Sequence, residues 1–107
     1  MAITVSNVQQ NHRSLYWEYT GDGATTASSA TFPLHLHGKQ TAVATVTTGP
    51  TTFESGHRGG LNYPTNGTNV PVASCTISGN TITVTTSAAV GNGTKAYVVA
   101  VLNEYTD

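Results

Sequence analysis

The chemistry available to this chain rests on four histidines, five carboxylates and one cysteine. Two of the histidines stand at His35 and His37. On a strand, whose side chains alternate, both imidazoles would project from one face about 7 Å apart, as a chelating pair could. Two ligands do not make a zinc site. A third would have to come from His12, from His57, from a carboxylate, or from equivalent pairs meeting on the axis of a homotrimer. The plainer reading is two solvent-facing polar residues, and no metal or other cofactor is expected. Glycosidase chemistry needs paired carboxylates at a defined separation. Glu18, Asp22, Glu54, Glu104 and Asp107 are the candidates, and nothing in the spacing supports Glu18 with Glu54 as a pair. Nucleophilic catalysis fares no better, because there is no G-x-S-x-G and Cys75 sits on the apolar side of an alternating run. Gly59-Gly60 lacks the lysine and the following helix of a phosphate loop. The expectation is therefore a protein that is not an enzyme.

The stretch that organises the chain is Val72 to Leu102, centred on Ser78-Gly79-Asn80-Thr81. Gly79-Asn80 has the composition of a two-residue hairpin loop, since glycine accepts the positive φ that a type II′ turn needs at its first central position. Ser78 then falls opposite Thr81, Ile77 opposite Ile82, Thr76 opposite Thr83 and Cys75 opposite Val84. One face of this ribbon is apolar and the other is threonine, so a one-residue slip would mix the faces. Lys95 to Leu102 is the most apolar run: Tyr97, Val99 and Val101 point one way, Ala96, Val98, Ala100 and Leu102 the other. A strand apolar on both faces is covered on both, which places this run in the middle of a two-layer β structure.

Earlier in the chain, Ile3, Val5 and Val8 suggest a first strand that leaves a polar segment, Gln9 to Arg13, as a loop or an edge. Ser14 to Thr20 alternates, with Leu15, Trp17 and Tyr19 on one side and Tyr16 and Glu18 on the other. Trp17 is expected to anchor the core, the alternative being a sugar-stacking platform. Gly21 to Ala30 reads as a flexible loop, Thr31 to His37 as a strand with Pro33 near its start, and Gln40 to Thr48 as a strand ended by Gly49-Pro50. The short run Thr51 to Glu54 follows. Ser55 to Pro71 holds four glycines and two prolines and is read as a long irregular loop, neither strand nor helix. It also carries His57, Arg58, Leu61 and Tyr63, types that concentrate contact energy, so these four, with Arg13 from the polar segment, are the expected partner-binding residues. Asn66-Gly67-Thr68 and Asn92-Gly93-Thr94 fit the glycosylation sequon but are better read as turns. The whole reads as one domain, residues 1–107, folded as a β-sandwich or jelly-roll-like barrel of about 7–8 antiparallel strands.

Composition narrows the function classes. Charged residues make up 8% of the 107, against an apolar content of 37% and a net charge of −1. Soluble domains carry about 25% charge, so the surface is neutral and polar rather than ionic. Nucleic acid is not an expected partner, because Arg13, Lys39, Arg58 and Lys95 are scattered. No run approaches the ~18 apolar residues of a membrane-spanning helix, so no membrane is expected. Met1-Ala2-Ile3-Thr4-Val5 lacks the basic and apolar regions of a signal peptide, which predicts synthesis and assembly in a cytoplasm.

The segment Thr76 to Thr86, followed by Gly91 to Val99, resembles small virion proteins of tailed bacteriophages, in particular capsid decoration (cement) proteins. The likeness is one of texture: Thr/Ala/Gly-rich strands, few charges and one domain. It implies a structural virion protein, assembled in the host cytoplasm, that binds the major capsid protein outside the shell at capsomer junctions, commonly as a homotrimer. The alternative is a receptor- or glycan-binding module of a phage tail or fibre, using Trp17, Tyr16 or Tyr63.

Overall fold

The computed structural model describes residues 3–11, 14–31, 42–50, 52–54 and 63–102. Among them are ten strands: β1 (Val5–Asn11), β2 (Ser14–Thr20), β3 (Ala27–Thr31), β4 (Ala42–Thr48), β5 (Phe53–Glu54), β6 (Tyr63–Pro64), β7 (Thr68–Val70), β8 (Val72–Ser78), β9 (Thr81–Thr86) and β10 (Lys95–Leu102). Eight of them build two antiparallel sheets, ordered β1-β2-β10-β4-β7 and β3-β9-β8, and β5 and β6 form a separate two-stranded ribbon. The fold is an all-β sandwich, as the alternating pattern predicts.

The core lies between the sheets. From the five-stranded sheet come Leu15, Trp17, Tyr19, Val46, Ala96, Val98 and Ala100; from the three-stranded sheet come Ala30, Ile82 and Val84, with Cys75 and Ile77 packed against them. Cross-strand partners on β2 and β10 match large with small: Tyr19 faces Ala96, Trp17 faces Val98 and Leu15 faces Ala100. Alternating bulk in this way lets two neighbouring strands fill one layer without overpacking. Trp17 is fully buried, and its indole Nε1 donates to Ser28 Oγ at 3.1 Å.

The hairpin register is the one the turn dictates, with Ile77 opposite Ile82 and Cys75 opposite Val84. Gly79 has φ 61°, while Asn80 is not among the residues with positive φ, the combination a type II′ turn requires. β10 occupies the centre of its sheet, between β2 and β4. Ala96, Val98 and Ala100 face the core, and Val99 packs on the opposite side with Tyr16 and Tyr97. Asn92-Gly93 is a turn, as expected.

Two expectations are corrected. Residues 27–30, read as loop, belong to strand β3, paired along its length with β9 and alternating exposed and buried, with Ser28 and Ala30 inward. Small side chains hid its period; the hydrogen bonds come from β9. The span read as irregular from Ser55 to Pro71 contains β6 and β7, which pair with β5 and β4. Strands this short carry no legible alternation. The first strand forms and includes Val8, which is 42% exposed, and a β-bulge between Ser6 and Gln9, with Asn7 at φ 53°, shifts the parity of β1 beyond it. One consequence is that Gln10, opposite Leu15, has its Oε1 buried without a hydrogen bond. Gln9–Asn11 belong to an edge strand, one of the two outcomes foreseen for the polar segment. Phe32–His37, with His35 and His37, lies outside the described residues.

Candidate functional site

Two outward faces are available, and their chemistry differs. The outer face of the three-stranded sheet follows from the register: Ala27, Thr85 and Ser74 form one cross-strand row, Ser29, Thr83 and Thr76 the next, Thr31, Thr81 and Ser78 the last. Because the alternate positions are apolar and turned inward, all but Ala27 on this face are hydroxyl residues and none is charged. Neighbouring hydroxyls satisfy each other, Ser29 Oγ with Thr83 Oγ1 at 2.8 Å and Thr31 Oγ1 with Thr81 Oγ1 at 2.9 Å. β8 borders the face, and its outer edge has no strand neighbour among the described residues.

The outer face of the five-stranded sheet carries the described ionic chemistry. Glu18, only 8% exposed, receives Tyr16 Oη–H on Oε2 at 2.5 Å and Asn7 Nδ2 on the same oxygen at 3.2 Å, while Lys95 Nζ lies 2.9 Å from Oε1. The bulge explains how Asn7 reaches: an asparagine tolerates positive φ, and its amide turns over the strand toward Glu18. Burial raises the Glu18 carboxyl, but the hydrogen bonds from Tyr16, Lys95 and Asn7 outweigh it and hold the group below its ordinary value. Burial, followed by the bond to Glu18, pushes the Tyr16 phenol far above its ordinary value. Lys95 is raised by its hydrogen bond to Glu18. A buried carboxylate held ionised by donors from three strands ties those strands together, so the group is a clamp between β1, β2 and β10.

Beside the clamp the β5–β6 ribbon lies on the sheet. The Phe53 ring meets Tyr97 edge to face, with centroids 5.3 Å apart at 66°, and Lys95 Nζ stands 5.5 Å from the Tyr97 centroid. Phe53 keeps 43% of its surface exposed. The ribbon is extended by Thr52 and Thr65, whose hydroxyls are 2.5 Å apart, and by Thr52 N donating to Asn66 Oδ1 at 3.2 Å. Between this strap and the sheet is a groove of about 280 Å³ lined by Thr45, Thr47, Pro64, Thr65, Asn66, Gly67, Asn69 and Val99.

Of the expected partner-binding residues, Arg13, His57, Arg58 and Leu61 lie outside the described residues. For Tyr63 the backbone is described, paired with Glu54 at the head of β6. Trp17 and Tyr16 are buried and cannot serve as stacking platforms. Cys75 is half-buried against the core, and burial pushes its thiol up, away from the reactive thiolate. Among the described residues no group of three or more His, Cys, Asp or Glu could hold a metal ion. Sequence reasoning missed Phe53 with Tyr97 and Glu18 with Lys95, because each pair depends on the order of strands in the sheet. No family model matches the chain, and no curated protein or solved structure matches it either.

Proposed function

We propose that this chain is a structural, non-catalytic component of a tailed-phage virion that binds the major capsid protein on the outside of the shell at capsomer junctions, as a homotrimer. The outer face of the three-stranded sheet supports this reading most. It is broad, uncharged and covered with hydroxyls from Ser29, Thr31, Ser74, Thr76, Ser78, Thr81, Thr83 and Thr85, and along its border lies β8, an edge strand with no outer neighbour among the described residues. Such a surface offers many weak hydrogen bonds and backbone donors rather than a pocket, and it suits a partner met over an area. Several copies held together then gain the avidity that a single patch lacks. Arg13, His57, Arg58, Leu61 and Tyr63 are proposed as further contacts.

Co-sedimentation tests the reading. Purified protein mixed with undecorated capsids is expected to pellet with them and to raise the temperature at which the shells open; pelleting with tails alone, or with neither, overturns the proposal. Thr76→Lys, on the exposed edge strand, should abolish pelleting without lowering the thermal midpoint of the free protein. Changing Arg58 and Tyr63 to alanine together should weaken it.

A further inference from the structure

We infer that the groove under the β5–β6 strap is a binding site for a neutral saccharide, taking a single sugar ring. Four features of the groove lead there. Its volume, about 280 Å³, falls just under the ~300–1,000 Å³ of pockets for drug-sized ligands, which suits one ring rather than a chain. Its lining is polar and uncharged: hydroxyls from Thr45, Thr47 and Thr65 and carboxamides from Asn66 and Asn69. None of the residues lining it is charged, and Lys95 and Glu18, on the same outer face of the sheet, are paired with each other. An anion, a cation or a nucleotide phosphate finds no counter-charge in such a lining, whereas a polyhydroxyl ring finds donors and acceptors together.

The other two features concern readiness and shape. Thr65 and Asn66 are tied into the strap through Thr52, so that wall is held in place before any ligand arrives. Opposite it, the side chains of Thr45, Thr47 and Asn69 make no hydrogen bond among the described residues and are available to a ligand. Thr47 and Asn69 are cross-strand partners, which puts a hydroxyl and a carboxamide side by side on the floor. The groove also has an aromatic border. Tyr97 is the cross-strand partner of Thr47, and Phe53 that of Pro64, so the Phe53–Tyr97 pair flanks both floor and wall. A sugar has one face of C–H groups and a rim of hydroxyls. The half-exposed Phe53 ring offers the apolar surface for the first, and the Thr and Asn side chains offer partners for the second. Burying Trp17 and Tyr16 removes two of the three platforms the sequence suggested, and the structure puts a different aromatic, Phe53, beside the polar floor.

The test is a titration of the isolated protein, so its outcome is independent of whether the protein binds shells. The probes are methyl glycosides of glucose, galactose and mannose, and N-acetylglucosamine, with amide chemical shifts as the readout. At least one is expected to give saturable shifts at Thr45, Thr47, Asn69 and Val99 with a Kd on the order of 1 mM. Thr47→Val and Asn69→Ala together should weaken that binding about ten-fold or more, each removing one ligand hydrogen bond, and Phe53→Ala should weaken it again. Thr47→Val preserves shape and Asn69 is on an exposed edge strand, so the thermal midpoint should hold. No saturable shift with any probe, shifts that map to another face, or unchanged affinity in both variants overturns the site.

Discussion

At the scale of single residues, Trp17 and Glu18 are neighbours in sequence that face opposite ways and do opposite work. Trp17 points into the sandwich and fills the space between the sheets. Truncating it to alanine removes the largest buried side chain and leaves a cavity, at a cost of about 3–5 kcal/mol. A chain of this length has only ~5–15 kcal/mol of stability in all, so Trp17→Ala should unfold near ambient temperature, as circular dichroism on heating would register. Glu18 points outward, and its contribution depends on pH. Its folded-state value lies below that of the unfolded chain, so the stability it lends is complete above the unfolded value, about 4.3, and is lost as pH falls through the lower folded value. The thermal midpoint of the parent protein should therefore drop below about pH 4.3 more steeply than that of Glu18→Gln, the two curves converging in acid. Parallel curves would mean that Tyr16, Asn7 and Lys95 do not hold the carboxylate. Asp22 has a separate task. Its Oδ2 accepts from the Thr25 hydroxyl at 2.6 Å and its Oδ1 from the amides of Thr25 and Ala24 at 2.6 and 2.8 Å, which together hold its carboxyl down, to about 2, and shape the turn into β3.

Elements differ in how far local sequence specifies them. The β8–β9 hairpin is specified twice, by a two-residue loop and by a strict alternation of threonine with Ile and Val, and the two agree. Its weak point is Gly79, where φ is 61°. Gly79→Ala has open space for the added methyl but must adopt a left-handed backbone, so the loss should be roughly 1–2 kcal/mol, read as a lower urea midpoint with an unchanged slope. β10 was legible for the same reason, since an apolar run on both faces has only one place in a two-layer fold. β3 was not legible. Ala27-Ser28-Ser29-Ala30-Thr31 has no apolar contrast, and Ser28 becomes an inward residue only because Trp17 lies beneath it. β6 and β7 were hidden by length, and the strands they pair with, β5 and β4, lie well before them in the chain. The groove under the strap was out of reach for that reason: its floor comes from β4, β7 and β10, which sequence distance does not bring together. Gly21 shows the same dependence. Its amide donates to Thr94 O at 2.8 Å and its carbonyl accepts from Gly93 N at 3.0 Å, locking the turn after β2 to the turn before β10. A Cβ there would collide with the Val90 carbonyl oxygen and lie 2.6 Å from that of Gly91. Backbone must move to admit it, so Gly21→Ala should destabilise more than Gly79→Ala in the same urea titration.

For the whole molecule, the governing fact is that the five-stranded sheet is assembled from distant parts of the chain, with β2 pairing to β10 from Ser14–Val101 to Thr20–Lys95. Loops of that length must close before the pairing rewards them, so folding is expected in the millisecond-to-second range typical of non-local β proteins, measurable by stopped-flow tryptophan fluorescence. Microsecond folding would contradict it. The central position of β10 also bears on biosynthesis. β2 and β4 are both made long before β10, yet neither pairs with the other; each is a neighbour of β10 alone on that side. While the chain is still emerging from a ribosome, these two strands have a strand-wide gap between them, and Leu15, Trp17 and Val46 have no completed layer to pack in. The three-stranded sheet, complete once Thr86 has been made, is by contrast ready early. The order of the strands along the chain thus makes Lys95 to Leu102 the last piece of the larger sheet, and the layer over Leu15, Trp17 and Val46 is complete only when that piece is in place.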